Sequence, residues 1–444
     1  RTSAVREVLR AAVLQNARAV LVYSQRTVFT SWQAILEVSL GKCFEVWHAA
    51  QREPIEYVLL DLLVPLLKLL AIKERALADP IAEACLMLMG KVRELGLSGQ
   101  ERGAIPADRL ASILRELIVC LLRRGVSQHC RGHLYATLLN YLHHTALDPR
   151  PRPDLLAGAM EDAEDVRQTR LALSQRNLEL LHGRGEELVQ QLCVDAADSG
   201  EVWRAVALAT LDALFAYQPQ HLAWLQMLDN QGFLRHMEAA DGSVVDLLRA
   251  SGPDSAASQR LCAFQSKMAL LVRLARSREG ADRLVANSIL KSLISLGFID
   301  ERPPPPLPGA GPAARLVADR YIDLLVPTLR LLLALLAVYP NNVEVVAQAA
   351  VFLRRHDEQL EAMLKDDARA PPLEGSLEGL EAVVLLTGIV YHVFRHPHVL
   401  HEYFAERVQH YRNIMARLFT KYTTPACCQH VRTHLGQAQD VAGL

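Results

Sequence analysis

Apolar residues recur every three or four positions along nearly the whole chain, and alternation of apolar with polar residues is almost absent. That spacing places them on one side of a helix with 3.6 residues per turn. Leu59, Leu62, Leu63, Leu66, Leu69 and Leu70 make one such stripe. Leu110, Ile113, Leu114, Leu117 and Leu121 make another, opening just after Pro106, where a missing N–H is tolerated in the first turn. This second helix should stop at Arg123-Arg124-Gly125. Cations there suit the carbonyl end, and the glycine tolerates a left-handed conformation. The pattern repeats at Leu208, Leu211, Leu214 and Phe215, and at Phe264, Met268, Leu271 and Leu274. It returns at Leu380, Val383, Val384, Tyr391 and Phe394.

Short breakers separate the stripes: Gly96–Gly99, Asp148–Pro153, Ser251–Pro253 and Ala370–Pro372. Connections this short between helices of roughly twenty residues make successive helices antiparallel. A helix that cannot cover its own apolar face stacks on its neighbours, and a long run of such pairs is a solenoid. No fixed period with a repeated signature is visible. The expected fold is therefore all-α, an irregular HEAT- or armadillo-like solenoid of antiparallel helix pairs. The breakers divide it into helical segments at 1–147, 154–300 and 313–436, with a proline-rich loop at 301–312. Prolines there favour extended backbone and read as an exposed connection, in preference to a ligand for a proline-recognising module.

Composition sharpens this picture. Hydrophobic residues make up 51% of the 444 residues and charged ones 22%, which supports a large core, while only 6% are aromatic. Leucine, alanine and straight-chain charged residues lose little rotamer freedom in a helix. The 48 basic residues balance 49 acidic ones, so the basic excess expected of a nucleic-acid binder is missing. Cys43, Cys85, Cys120, Cys193 and Cys262 fall in apolar helical stretches and read as buried thiols of a reducing compartment. The chain opens on Arg1 within a helical pattern, as a fragment of a longer protein would. Val58–Ile72 and Tyr321–Tyr339 approach the length of a membrane span. However, each carries charges (Asp61 and Lys68, Asp323 and Arg330), so both are expected to be buried helices of a soluble protein.

No catalytic constellation accompanies these helices. Gly41-Lys42 and Gly90-Lys91 lack the rest of a phosphate-binding loop, and neither a dinucleotide fingerprint nor a nucleophile elbow is present. Histidines crowd the end of the chain at His392, His396, His398, His401 and His410, followed by Cys427, Cys428, His430 and His434. Their spacing does not supply two convergent ligand pairs, so no metal and no cofactor is expected. The acidic pairs Glu161-Asp162 and Asp366-Asp367 read as solvated residues of polar breakers.

One resemblance goes further. Gln175–Leu181, Val194–Gly200, Arg204–Asp212, Gln226–Phe233, Phe264–Ala275, Val317–Leu329, Leu385–Ile389 and Val408–Tyr422 follow in the order and spacing of the tail of the nucleoporin 205 family, called nucleoporin 192 in fungi. Arg131–Tyr141 is a weaker match. The resemblance runs over roughly residues 130–425. It implies a non-enzymatic scaffold and adaptor of the nuclear pore's inner ring, at the nuclear envelope, built as a superhelix of HEAT- and armadillo-like repeats. It also implies that the tail holds an amphipathic helix of a linker nucleoporin of the nucleoporin 93 type. Other inner-ring nucleoporins would be met through the rest of the full-length chain, with no direct nucleic acid and no membrane insertion. Rival readings are the tail of the paralogous nucleoporin 188 and a HEAT-repeat transport receptor of the karyopherin type. The latter would be expected to carry acidic inner loops for basic cargo, whereas acidic runs here are short and the net charge is −1.

The groove for such a helix is expected at the last helix, Val408–Tyr422. Val408, Tyr411, Met415, Leu418, Phe419 and Tyr422 share helical spacing there, and a terminal helix has one neighbour fewer than the others. Helix-in-groove recognition uses such aromatic anchors.

Overall fold

The computed structural model describes residues 2–42, 44, 55–71, 77–98, 105–145, 160–217, 222–230, 234, 244, 246, 248, 255–304, 311–369 and 377–425. Among these residues there are seventeen α-helices, one 3-10 helix and no strand. The all-α expectation therefore holds. The chain forms two compact units, residues 1–191 and 192–444.

In the first unit, α1 (Thr2–Gly41), α3 (Ala78–Ser98) and α5 (Gln128–Thr145) pack in one row. A second row holds α2 (Ile55–Ala71) and α4 (Ala107–Leu121), and α6 (Met160–Asp198) follows α5. The α4 stripe behaves as its spacing predicts. Leu110, Ile113, Leu114, Leu117 and Leu121 are all buried. The helix ends at Leu121, and Gly125 takes a φ of 78°, the left-handed conformation for which glycine is suited. Arg123, expected to serve its own helix end, donates to the carbonyl of Leu70 on α2. The α2 stripe is partly out of phase: Leu60 and Leu67 are buried while Leu69 is 47% exposed.

In the second unit, α7 (Glu201–Tyr217), α9 (Ser255–Ala275), α12 (Pro312–Val338) and α15 (Leu377–Phe394) stack side by side. The other row contains α8 (Leu222–Asn230), α10 (Arg278–Ala286), α11 (Ile289–Ile294), α13 (Val343–Arg355), α14 (Asp357–Arg369), α16 (Pro397–Phe404) and α17 (Val408–Tyr422). A short 3-10 helix, Gly297–Glu301, leads from α11 toward α12. Leu208, Leu211, Leu214, Phe215, Phe264, Met268, Leu271 and Leu274 lie in the core between α7, α9 and α12. Phe264 meets Phe298 edge-on at 6.3 Å, and Phe298 meets Tyr321 at 6.4 Å, a ring chain that ties α9 to α12. Ser277 caps α10 through its hydroxyl, and Asn342 caps α13.

A spatial period emerges that the sequence does not display. In the first unit side-chain bonds run from Ser127, just before α5, to Asp79, 48 residues back, and from Cys120 to the Leu67 carbonyl, 53 back, while Tyr141 reaches Asn177 across a shorter 36. In the second, Arg330 reaches Glu381 across 51 residues, Arg283 reaches Asp229 across 54, and Tyr411 reaches Asp357 across 54. Arg273 reaches Asp212 across 61 and Arg302 reaches Asp366 across 64. An offset recurring with different residue types each time is one turn of an irregular stack.

Several sequence readings need revision. Gly96–Ser98 belong to α3, so that breaker begins later than expected. Glu161 and Asp162 sit in the first turn of α6 and Asp366 and Asp367 within α14, so neither pair is in a breaker. The second is bonded: Asp366 to Arg302, and Asp367 to Lys421 and Tyr422. In the last stripe Val383 is buried as expected, but Val384 and Tyr391 point outward, and Leu386, Ile389, Val390 and Val393 join the buried side. Cys85, Cys120 and Cys193 are buried as expected, together with Cys130, but Cys262 is exposed. Cys43, Asp148–Pro153, Ser251–Pro253, Ala370–Pro372 and loop residues 305–310 lie outside the described residues. So do residues 426–436 of the third segment. Ala313–Val338 is long and apolar enough to cross a membrane, yet 56% of its most apolar window is buried against other helices.

Candidate partner interface

The last described helix is held to its neighbours by a small apolar contact and a polar zipper. Tyr411, Ile414 and Leu418 form its buried side. The Tyr411 ring stands 5.5 Å from Phe394 and 5.8 Å from Phe404, so it closes an aromatic cluster with α15 and α16. Its hydroxyl donates to Asp357 of α14 at 2.6 Å. Burial, with the negative charge of Glu361 nearby, pushes that hydroxyl up to about 12, against the lowering effect of Arg407.

The zipper joins acidic positions of α14 to basic positions of α17. Arg407 pairs with Asp357, His410 Nε2 lies 2.9 Å from Glu361, and Lys421 lies 3.2 Å from Asp367. Tyr422 donates to Asp367 at 2.8 Å. Partial burial raises the Glu361 carboxyl, but bonds from Lys365 and His410 outweigh it and hold the group below the ordinary carboxylate range. No local pattern reveals this network, because each pair joins residues about one turn of the stack apart.

The six residues expected to line a groove therefore divide into two sets. Tyr411 is 1% exposed and Leu418 4%, so both are core residues of this chain. Phe419 is 71% exposed, and Val408, Met415 and Tyr422 are half-buried. At 100° per residue these last four share one edge of the helix, between its buried and outward sides. Arg412, Ala416 and Thr420 occupy the outward side beside them. The arrangement offers a narrow apolar edge with one projecting ring, suited to a side-by-side contact with another helix.

The histidines of this region have structural surroundings. His396 precedes the first turn of α16, and its Nε2 lies 2.8 Å from the Pro340 carbonyl. His398 and His401 are exposed on α16. Burial, with Arg395 and His396 adding to it, holds the His392 imidazole below its ordinary range. Among the described residues no group of three or more His, Cys, Asp or Glu side chains is placed to hold a metal ion. Cys427, Cys428, His430 and His434 lie outside the described residues.

The chain has relatives among known proteins. Residues 2–393 match the family model described as "Nuclear pore complex scaffold, nucleoporins 186/192/205". The human nuclear pore complex protein Nup205 is 27% identical over 437 residues, covering 86% of this chain and 21% of the human protein. The Drosophila melanogaster nuclear pore complex protein Nup205 is 29% identical over 296 residues, covering 62% of this chain and 14% of the fly protein. Thus the chain spans about a fifth of the length of the human relative. Among solved structures, an engineered protein overlaps 74% of the chain at 12% identity, but its TM-score of 0.36 carries no argument. With a family model matching most of its length and two Nup205 relatives behind it, the chain belongs to the family of nuclear pore complex scaffold nucleoporins 186/192/205.

Proposed function

We propose that this chain is a non-catalytic segment of the pore's inner-ring scaffold, and that its last helix seats an amphipathic helix of a linker nucleoporin of the nucleoporin 93 type. One observation carries the reading. Phe419 projects 71% exposed from the edge that also holds Val408, Met415 and Tyr422, while the rest of α17 is anchored to α14 by charge. A large ring left in water at the margin of an apolar edge is the kind of anchor that binding energy concentrates on. The charged anchors Arg407, His410 and Lys421 lie away from this edge, and of its residues only Tyr422 joins them, through Asp367, so Val408, Met415 and Phe419 stay available without loosening the helix. The rest of the full-length protein would meet other inner-ring nucleoporins. Near-equal numbers of acidic and basic residues support a protein partner over nucleic acid, and the partial burial of α12 supports a packed helix over a membrane span.

The test is calorimetry of the 444-residue chain against a synthetic linker helix, with Met415→Ala and Phe419→Ala combined in one variant. Loss of at least about 2 kcal/mol of affinity at unchanged helicity supports the edge as the site. Unchanged affinity in a folded variant removes it.

A further inference from the structure

Well away from α17 in sequence, the first row of the second unit contains a groove of about 440 Å³ lined by α9 and α12 and bounded by Asp212 of α7 and Glu381 of α15. Its lining runs from Gln265 on α9 to Arg276 in the turn just after it, and from Ile322 to Arg330 on α12, so it extends roughly 15 Å along the helices at about 1.5 Å per residue. Ala269, Val272, Val326 and Pro327 supply an apolar floor. Small Ala269 leaves space where a larger residue would close the gap between the two helices.

Two arginine–carboxylate pairs flank the groove. Arg273 grips Asp212 through two bonds of 2.5 and 3.0 Å, and Arg330 grips Glu381 through two bonds of 2.6 and 2.7 Å. Planar two-point pairs of this kind fix both side chains, which lowers the entropy lost when something binds between them. Arg276, also on the lining, is exposed, and both of these neighbouring carboxylates are already committed to other arginines. The groove thus combines an apolar floor, rigid walls and a cation without a bidentate acid of its own.

We propose that this groove is a second docking site, which takes a short protein segment carrying two apolar side chains and a carboxylate that pairs with Arg276. The apolar pair fills the space over Ala269 and Val272, and the carboxylate meets the guanidinium at the margin. Nucleic acid is disfavoured because Asp212, Asp323 and Glu381 balance the three arginines of the lining, which leaves no basic excess for a chain of phosphates. This surface is separate from the α17 edge and does not depend on it.

A phage-displayed library of random short peptides, panned on the 444-residue chain, provides the probe. Enriched peptides should share two apolar residues with a nearby Asp or Glu. Ala269→Trp, a change at an exposed position, should fill the groove and weaken their binding by more than about tenfold. Arg276→Glu should shift the enriched set from acidic to basic residues. Absence of a consensus, a consensus without an acid, or binding that survives Ala269→Trp in a folded variant would each overturn the proposal. Peptides that survive Ala269→Trp but are lost with Phe419→Ala would belong to the α17 edge instead. If the tryptophan variant fails to fold, the charge preference under Arg276→Glu decides the matter alone.

Discussion

Gly280 lies in the first turn of α10, directly against the carbonyl end of α9. A Cβ at that position would stand 2.2 Å from the Leu274 carbonyl oxygen, 2.8 Å from Ser277 Oγ and 2.9 Å from the Leu274 carbonyl carbon. Two of these three atoms are backbone, so no side-chain rotation relieves the contact. Restoring ordinary separation would move the start of α10 by about 1 Å, a strain of the kind that costs about 1–3 kcal/mol in a packed interior. The same movement strains the bond from the Gly280 N–H to Ser277 Oγ, now 3.1 Å, and a lost helix cap costs about 1 kcal/mol. Against this, alanine gains up to about 1 kcal/mol over glycine within a helix. Gly280→Ala should therefore destabilise the second unit by about 1–3 kcal/mol. Gly183 is the matched control: it lies within α6, and a Cβ there has nothing within 4 Å. Gly183→Ala should stabilise the first unit by about 0.5–1 kcal/mol. Urea unfolding followed by hydrogen exchange resolved to α6 and α10 separates the two effects. Equal stabilisation by both changes would refute the close approach of α10 to α9.

Three further outcomes follow from the packing. Tyr141→Phe removes the 2.8 Å bond to buried Asn177 and should cost about 1–3 kcal/mol in denaturant unfolding of the first unit, because the amide oxygen stays buried without that donor. The Tyr411 hydroxyl is raised to about 12 in the fold, above its ordinary value near 10. Its contribution to stability is therefore complete below about pH 10 and is lost as pH rises from there through 12. Alkaline unfolding should be correspondingly shallower in Tyr411→Phe, and an identical alkaline profile would contradict the assignment. Burial pushes the Cys120 thiol up to about 11 and the Cys130 thiol up to about 12. At mildly alkaline pH exposed Cys262 should therefore alkylate on the order of a hundredfold faster than either, as read by mass spectrometry.

The sequence was most legible where helices are amphipathic. In α4 every expected core position is buried, and Gly125 turns the chain as its type suggests. Legibility fell where helices are apolar on most sides. In α15 the residues offer several equivalent phases, and packing against α12, not periodicity, selects Leu386, Ile389, Val390 and Val393 over Val384 and Tyr391. The candidate interface shows the same limit. Spacing grouped Tyr411 and Leu418 with Phe419, but a helix stripe wider than its contact splits into core and margin only once its neighbours are in place. The zipper from Asp357, Glu361 and Asp367 to Arg407, His410 and Lys421 left no local trace, since the partners lie on helices separated by α15 and α16.

The recurring offset between bonded residues has a mechanical corollary. Within the second unit the longest ties reach back 61 and 64 residues, little more than one turn of the stack. Among the described residues a pull on one end is then met chiefly by the next turn, and that turn by the one beyond it. Extension is shared among many modest junctions in series, as in a coiled spring, where a globular core would hold until it ruptured at once. Stretched from its ends, such a segment should yield by small increments rather than in one rupture.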